Sequence, residues 1–454
     1  MPPFKHGSAT PPGAPAPRSR APARTKGAPA TPGGPAGLDL TSPRMTGSAA
    51  TDPEFVIEVH QGVAGLDPRQ WDGLLEASPH PTPFMRHAYL AALERSGSVG
   101  EDTGWKPLAL AVRRRTDDAL VGAAPLYLKS HSYGEYVFDW AWADAYQRHG
   151  RRYYPKLVAA VPFTPVPGSR LLARDPAARA VLVRGMEALA REAKCSSVHL
   201  LFGDAHDHAA AAEAGWMLRQ GVQFHWRNRG LAEAGDGTVV PAAEDAGGRP
   251  WSDFADFLAS LQRDKRKKIA QERRRVHEAG VAFETLEGAR ITRADWDFFH
   301  RCYGNTYAAH HSTPYLTRAF FEAMHDTMAE NWVMFAASRG GERVACSLIA
   351  VDRAEGAAYG RYWGAVESIP NVHFEACYYQ PLAWCIANGM QRFEGGAQGE
   401  HKMARGLMPT RTQSAHWIAD ARFREAIGAH LQQEGGAIDT YLDELDDRSP
   451  FKQA

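Results

Sequence analysis

The stretches TPFMRHAYLAALE (82–94) and TPYLTRAFFEAMH (313–325) follow one pattern, 231 residues apart. In each, Thr-Pro leads to an aromatic residue, Met or Leu, two variable positions, Ala, an aromatic residue and an amphipathic run. Thr before Pro at the first helical position predicts a capped helix beginning at each. Shortly after each comes a tryptophan that opens a strand, Trp105 with PLALAV and Trp332 with VMFAAS, at an offset of 227. A turn and a second strand follow, ALVGAAPLYL from Ala119 and RVACSLIAV from Arg343. A third strand is expected at Tyr133-Gly134-Glu135-Tyr136 and at Tyr359-Gly360-Arg361-Tyr362, offset 226. Each half then offers a helix and a closing strand, in 183–203 and 374–396, where the offset falls to 192. An extra loop in the first half, at about 141–175, explains that drop. Four matches in one order point to a duplicated α/β unit. Strands joined by short turns run antiparallel, and one reached through a helix can lie parallel to a neighbour. The expected fold class is α/β, a tandem duplication of a mixed β-sheet flanked by helices.

Composition bounds the reading. The chain has 454 residues, with 52 Lys+Arg and 52 Asp+Glu, so no basic field dominates its surface. Its mean hydropathy is −0.41, and no apolar run approaches the roughly 20 residues of a membrane span. Five cysteines without a CxxC pair argue against a disulfide scaffold and a thiolate metal site, and fit a reducing cytoplasm. Residues 1–50 hold 11 of the 30 prolines and few large apolar side chains, so a disordered Pro/Ala-rich tail is expected. A Gly, Ala, Pro and acid-rich stretch at 231–250 reads as a linker. It divides an N-terminal domain, 55–230, from a C-terminal one, 251–435, which opens on a basic amphipathic helix at 251–279; residues 436–454 read as a C-terminal tail.

The order of elements, in tandem, resembles the GNAT acyltransferase fold as the Fem peptidyltransferases use it. More closely, the chain is similar to the FemAB-like peptidoglycan biosynthesis/recognition group. The stretches that carry the likeness include YLKSHSYGEYVFDWAWADAY (127–146), RDKRKKIAQERR (263–274), YGRYWG (359–364) and HFEACYYQPLAWCIANGMQRFEGGAQGEHKMARG (373–406). The resemblance implies a GNAT-like sheet in each half and transfer of an acyl or aminoacyl group to an amine, with acyl-CoA or aminoacyl-tRNA as donor. The acceptor it implies is a small molecule or cell-envelope precursor. One departure stands out. The Q/R-x-x-G-x-G/A turn that holds CoA pyrophosphate on backbone N–H groups is missing, and Arg361-Tyr-Trp-Gly364-Ala-Val366 is a near miss. That departure keeps a second reading open, a non-catalytic module that recognises a peptidoglycan precursor or peptide.

Acyl transfer to an amine needs a proton acceptor, a donor for the developing oxyanion and a proton for the leaving group. The segment 394–405 is rich in candidates. Gly396, Gln398, His401, Lys402 and Arg405 are expected to bind substrate, and Glu400 to act as a base. His373 and Glu375 open the preceding helix and join the catalytic candidates, though an acid there is also ordinary helix chemistry. Arg361 and Tyr362 lie on the predicted central strand, Arg361 as a binding group and Tyr362 as an acid. Tyr136 and Trp140 belong to an aromatic stretch with carboxylates nearby, which suits a sugar, a peptide or an ordinary core. The loop 162–168 either lines a cleft or closes the domain. Lys265, Arg266, Lys267, Lys268, Arg273 and Arg274 form a basic patch that fits tRNA, CoA phosphates, a lipid diphosphate or an anionic membrane surface. Asp204-Ala-His206-Asp-His208 reads as a polar loop; no metal is expected there.

Overall fold

A computed structural model describes residues 53–228, 231–233, 239–241, 249–397 and 399–452. The N-terminal tail and Gln398 lie outside the described residues, as does most of the linker. Leu231–Glu233 and Val239–Pro241 pair as a small antiparallel ribbon within that linker.

In the first half the order is β1 (Phe55–His60), α1 (Pro68–Glu76), α2 (His87–Arg95), β2 (Trp105–Arg114), β3 (Leu120–Lys129), α3 (Trp140–Arg148), β4 (Lys156–Ala159), α4 (Pro176–Glu192), β5 (Ser197–Leu201), α5 (Ala205–Glu213) and β6 (Met217–Arg227). In the second it is α6 (Phe254–Ser260), α7 (Arg263–Glu278), β7 (Val281–Glu287), α8 (Arg293–Ala309), α9 (Arg318–Thr327), β8 (Trp332–Arg339), β9 (Glu342–Asp352), β10 (Ala357–Ala365), α10 (Gln380–Ala387), β11 (Arg392–Ala397), β12 (Met408–Ile418) and α11 (Ala421–Asp446). The same unit is present twice. In each copy a strand, two helices and an antiparallel pair lead to a strand that runs parallel to the one after the next helix, β4 with β5 and β10 with β11.

The two units do not make two sheets. They share one, in the order β1-β2-β3-β4-β5-β12-β6-β11-β10-β9-β8-β7. The last strand of each unit has crossed to the other: β12 pairs with β5, β6 pairs with β11, and the two exchanged strands pair with each other over nine positions, from Met408↔His225 to His416↔Met217. The edges that β5 and β11 would otherwise leave open are thereby paired with a strand of the opposite half.

The core follows from two-residue alternation along the strands. On one face Ala109 and Ala111 of β2 join Met334 and Ala336 of β8 in a single cluster, under α1 and α2 of one half and α8 and α9 of the other. On the opposite face Leu108, Leu110 and Val112 pack beneath α4, and Val333 and Phe335 pack with Leu382 and Cys385 of α10.

Several sequence expectations are corrected. The helices after Thr82 and Thr313 start later than Thr-Pro suggests. Residues Pro83–Met85 form a 3-10 turn before α2, and α9 takes its cap from Thr317, whose side chain accepts from Phe320 N. Thr82 Oγ1 caps nothing; it is buried without a partner. The third strand of the first half is Lys156–Ala159, not Tyr133–Tyr136, because the aromatic stretch forms a loop and α3 instead. Much of the insertion therefore precedes the third strand. The basic helix breaks at Leu261 and Gln262 into α6 and α7. Segment 204–208 is a helix start, not a loop: Asp204 caps α5 by accepting from Asp207 N. Where a tail was expected from 436, α11 continues to Asp446, and Gln262 N donates to Pro450 O at 2.8 Å.

Candidate active site

β10 and β11 pair as parallel strands only at Ala357↔Arg392, Ala358↔Phe393 and Tyr359↔Glu394; beyond these they part. Each is held by its other neighbour, β10 by β9 and β11 by β6. The β9 register passes from Ile349↔Gly360 to Leu348↔Tyr362, so Arg361 is the extra residue of a β-bulge beside the gap. A bulge takes one residue out of the ladder and re-aims the side chains around it. The wedge is kept close on its outer side by α8. A Cβ on Gly364 would stand 2.0 Å from Cys302 O, so only glycine lets helix and strand approach that far. Thr306 Oγ1 and Asn305 Nδ2 of α8 donate to Trp363 O and Ala365 O at 2.8 and 3.1 Å.

Two cavities open from this wedge and share Gly360, Arg361, Tyr362 and Gly395. The larger, about 370 Å³, is aromatic and draws on both halves: Tyr136, Trp140 and Phe163 from the first, Tyr303, Tyr307 and Tyr315 from the second. The smaller, about 190 Å³, lies between the parted strands and is lined by Ser347, Trp363, His373, Cys377, Tyr378 and Lys402 among others. Arg361 ties the halves together across the larger cavity. Its guanidinium donates to Phe163 O at 2.8 Å and Thr164 Oγ1 at 3.1 Å, and to Tyr362 OH at 3.2 Å.

The helix that walls the smaller cavity is irregular for a reason visible in its sequence. It begins at Val372–Phe374, widens to a π turn over Glu375–Tyr379 and resumes as α10. Pro381 offers no N–H and its ring would collide with the carbonyl of Cys377, four residues back, so the turn before it opens. The cavity is electropositive. Burial, then His401, Arg405 and Lys402, push the His373 imidazole down to about 4, and burial lowers the Lys402 ammonium to about 8. Lys402 Nζ donates to Gly395 O at 2.6 Å and Gly396 O at 3.2 Å, which ties the Gly-Gly end of β11 to the turn Glu400–Arg405.

The structure brings Arg361, Tyr362, His373, Gly396, Lys402, Tyr136 and Trp140 to the two cavities. His401 stands just behind, its Nε2 3.3 Å from Tyr378 OH. Others face away. Glu375 is buried in an ion pair with Arg273, whose Nε lies 3.1 Å from its Oε1, and accepts from Gln380 at 2.8 Å. Arg405 is paired with Glu272 at 2.9 Å and stacked on Phe374. Glu400 lies on the surface, held by Tyr441 OH and Arg448, both at 3.0 Å. Arg273 therefore serves the fold, while Lys267, Lys268 and Arg274 of the basic patch are exposed and Lys265 and Arg266 half-buried. No carboxylate lines either cavity among the described residues.

Sequence reasoning missed Tyr303, Tyr307, Tyr315 and Ser132. The spacing of Tyr303 and Tyr307 on α8 is that of an ordinary core face, and nothing local separates the two cases. The loop 162–168, left between two readings, does line the cleft through Phe163 and Pro165.

Beneath the aromatic loop 132–140 sits a buried charge cluster. Lys156 Nζ donates to Glu135 Oε2 at 2.8 Å, to Ser132 Oγ at 2.9 Å and to Asp139. Lys129 Nζ lies 3.6 Å from the Trp105 ring centroid and 3.9 Å from Glu135 Oε1. Burial pushes the Glu135 carboxyl up to about 7 and pulls the Lys129 ammonium down to about 7. For Asp139 the raising effect of burial is outweighed by Lys156 and His199, which hold it at about 2. The cluster is neutral in sum and anchors the wall shared by both halves.

With that geometry in hand, the comparisons with known proteins decide the family. The FemAB-like model, described as peptidoglycan biosynthesis/recognition, matches residues 62–236 and 247–453. The chain belongs to the FemAB-like family. No curated protein matches it. Among solved structures it is similar to L-PGS from Bacillus licheniformis, at 10% identity over 81% of this chain and 97% of that one, TM-score 0.45. It is also similar to a tandem GNAT protein from the clavulanic acid biosynthesis pathway, at 15% identity over 80% and 99%, TM-score 0.40. A GCN5-related N-acetyltransferase from Anabaena variabilis aligns at 12% identity over 80% and 73%, TM-score 0.35. The FemAB-like chain is a tandem of one α/β unit on a single mixed sheet flanked by helices, and among its described residues no helix is long and apolar enough to cross a membrane.

Proposed function

We propose that this FemAB-like protein is an N-acyltransferase or aminoacyltransferase that works in the wedge between β10 and β11. The observation that carries the reading is the parting of two parallel strands beside a bulge, with two chemically different cavities meeting at Gly360–Tyr362. The smaller, cation-lined cavity suits the activated acyl donor. CoA and aminoacyl-tRNA both carry phosphates, and the basic face of α7 reaches this side, where the Lys268 charge is felt at His401. The larger aromatic cavity suits the acceptor, a small molecule or peptidoglycan precursor with a free amine. At the junction, backbone polar groups released from strand pairing hold the carbonyl oxygen as charge develops on it. The amine nitrogen forms the new bond to the acyl carbon, the bond to the leaving group breaks, and Tyr362 OH delivers a proton to that group. With no carboxylate among the described residues that line the cavities, and with His373 held too low to be an effective base, the amine proton passes to water. Lys267 and Lys268 steer the phosphate-bearing donor, and an anionic membrane surface is a further partner of that face. The setting is the cytoplasm, where both donors are found.

Tyr362→Phe tests the assignment. Transfer of a labelled acyl group from acyl-CoA or aminoacyl-tRNA is expected to fall by about 10²-fold, the usual loss on removing a general acid, with the fold and donor binding unchanged. Undiminished turnover ends the assignment of Tyr362. A second reading, a recognition module without turnover, is favoured by the absence of a carboxylate among the described residues that line the cavities; binding of precursor with no product from any donor would establish it.

A further inference from the structure

Among the described residues, Arg361 is the one charged side chain that lines the larger, aromatic cavity. Its neighbours fix the guanidinium without neutralising it. The bonds to Phe163 O, Thr164 Oγ1 and Tyr362 OH all leave from Nη2, and all three acceptors are uncharged. Among the described residues Nη1 donates to nothing, and Nε is buried without a partner. The rings of Tyr362 and Phe84 lie with centroids 4.9 and 5.3 Å from the guanidinium carbon. Such rings attract a cation but leave its charge in place.

Other enclosed arginines of the same half are matched. Arg392 faces Glu394 at 3.2 Å and Arg405 faces Glu272 at 2.9 Å. The acids of the adjoining loop, Glu135 and Asp139, are spent on Lys156. A charge held partly out of water with no opposite charge beside it costs stability. A cation kept at a cavity wall on those terms is a place made for an anion.

We propose that Arg361 binds the carboxylate of a small carboxylic acid with a flat, apolar body that occupies the larger cavity. The Nη1 N–H groups meet the carboxylate in charge-assisted hydrogen bonds, the strong kind, and the body packs among Phe163, Tyr303, Tyr307 and Tyr315. A phosphate fits less well. The guanidinium leans on Phe163 and Thr164, on the aromatic side of the wedge, where a strongly hydrated dianion gains nothing from the rings. The proposal rests on the transferase reading only in what the acid does next. Where that reading holds, the acid also carries the accepting amine, so the acceptor is an amino acid with an apolar side chain. Binding of the acid does not depend on it.

The test is a saturation-transfer NMR titration of the full chain without acyl donor. The probes are 3-phenylpropionate, its uncharged counterpart 3-phenylpropanol, the cation 3-phenylpropylamine, and inorganic phosphate as competitor. The acid is expected to bind about tenfold or more tightly than the alcohol, the usual return on a hydrogen bond to a charged group. It is also expected to lose that advantage in Arg361→Met and to bind more weakly in Phe138→Ala, whose side chain lines the same cavity and is 53% exposed. Should Arg361→Met fail to fold, the comparison of acid with alcohol in the wild type and in Phe138→Ala decides alone. No binding of the acid, equal binding of acid and alcohol, tighter binding of the amine, or undiminished acid binding in either folded variant overturns the proposal. Displacement of the acid by equimolar phosphate assigns Arg361 to a phosphate and overturns it too. Turnover is not measured, so failure here and failure of the transferase reading are separable.

Discussion

Glu375 shows how much a single carboxylate's meaning depends on what stands beside it. In the chain it opens a helix next to His373 and invites a catalytic role. In the fold it is buried against Arg273 and Gln380 and lines neither cavity. Glu375→Gln should therefore leave turnover near wild type while lowering stability by about 1–3 kcal/mol, the usual cost of disrupting a buried charged hydrogen-bonded group; loss of turnover at unchanged melting temperature would reverse that placement. Lys129 makes a prediction in pH. Its folded-state pKa is about 7 against 10.5 for the free group, so between these values the unfolded chain binds the extra proton. Stability from this group therefore rises with pH across that window. Urea midpoints at pH 7 and about pH 9.5 should show a gain in the wild type that Lys129→Met lacks; an equal gain in both would refute it.

At the scale of elements, α2 and α9 are the pseudo-equivalent helices that the repeated Thr-Pro motifs marked, and they turn out to pack on each other. Tyr89 and Phe320 meet edge to face with centroids 5.3 Å apart, both fully buried, and Thr317 Oγ1 donates to Ser96 O at 3.2 Å. Phe320→Ala should cost about 3–5 kcal/mol. Because the cluster spans both halves, it should lower one shared unfolding transition; two separated transitions in calorimetry would contradict the shared core. The helix start at Thr317 rather than Thr313 was not legible in the motif, since Thr-Pro and Leu-Thr-Arg both present a cap and burial of Leu316 chooses between them. The third strand of the first half was misplaced for a similar reason. Tyr-Gly-x-Tyr occurs in both halves, but only Tyr359–Tyr362 has strands to pair with on either side.

At the scale of the whole molecule the exchange of β6 and β12 makes each half depend on the other. Residues 53–228 expressed alone would expose β5 on the edge that β12 covers, and would carry β6 with no partner on either side. That piece is expected to be insoluble or unfolded by circular dichroism, and co-expression with 249–454 to restore a soluble complex. A monomeric, cooperatively folded first half would show that the exchange is dispensable.

What the linear chain determined by itself was local and repetitive: the unit, its duplication and the parallel strand after each second helix. These follow from periodicity and short-range order, which neighbours in sequence set between them. The tertiary structure alone decided which strand closes which half, that Tyr136 and Phe163 face Tyr303 and Tyr315 across one cavity, and that Glu375, Glu400 and Arg405 spend their charge on ion pairs. Those outcomes depend on contacts between residues one to two hundred positions apart, where many pairings satisfy the same local pattern and only the burial of the whole sheet selects among them.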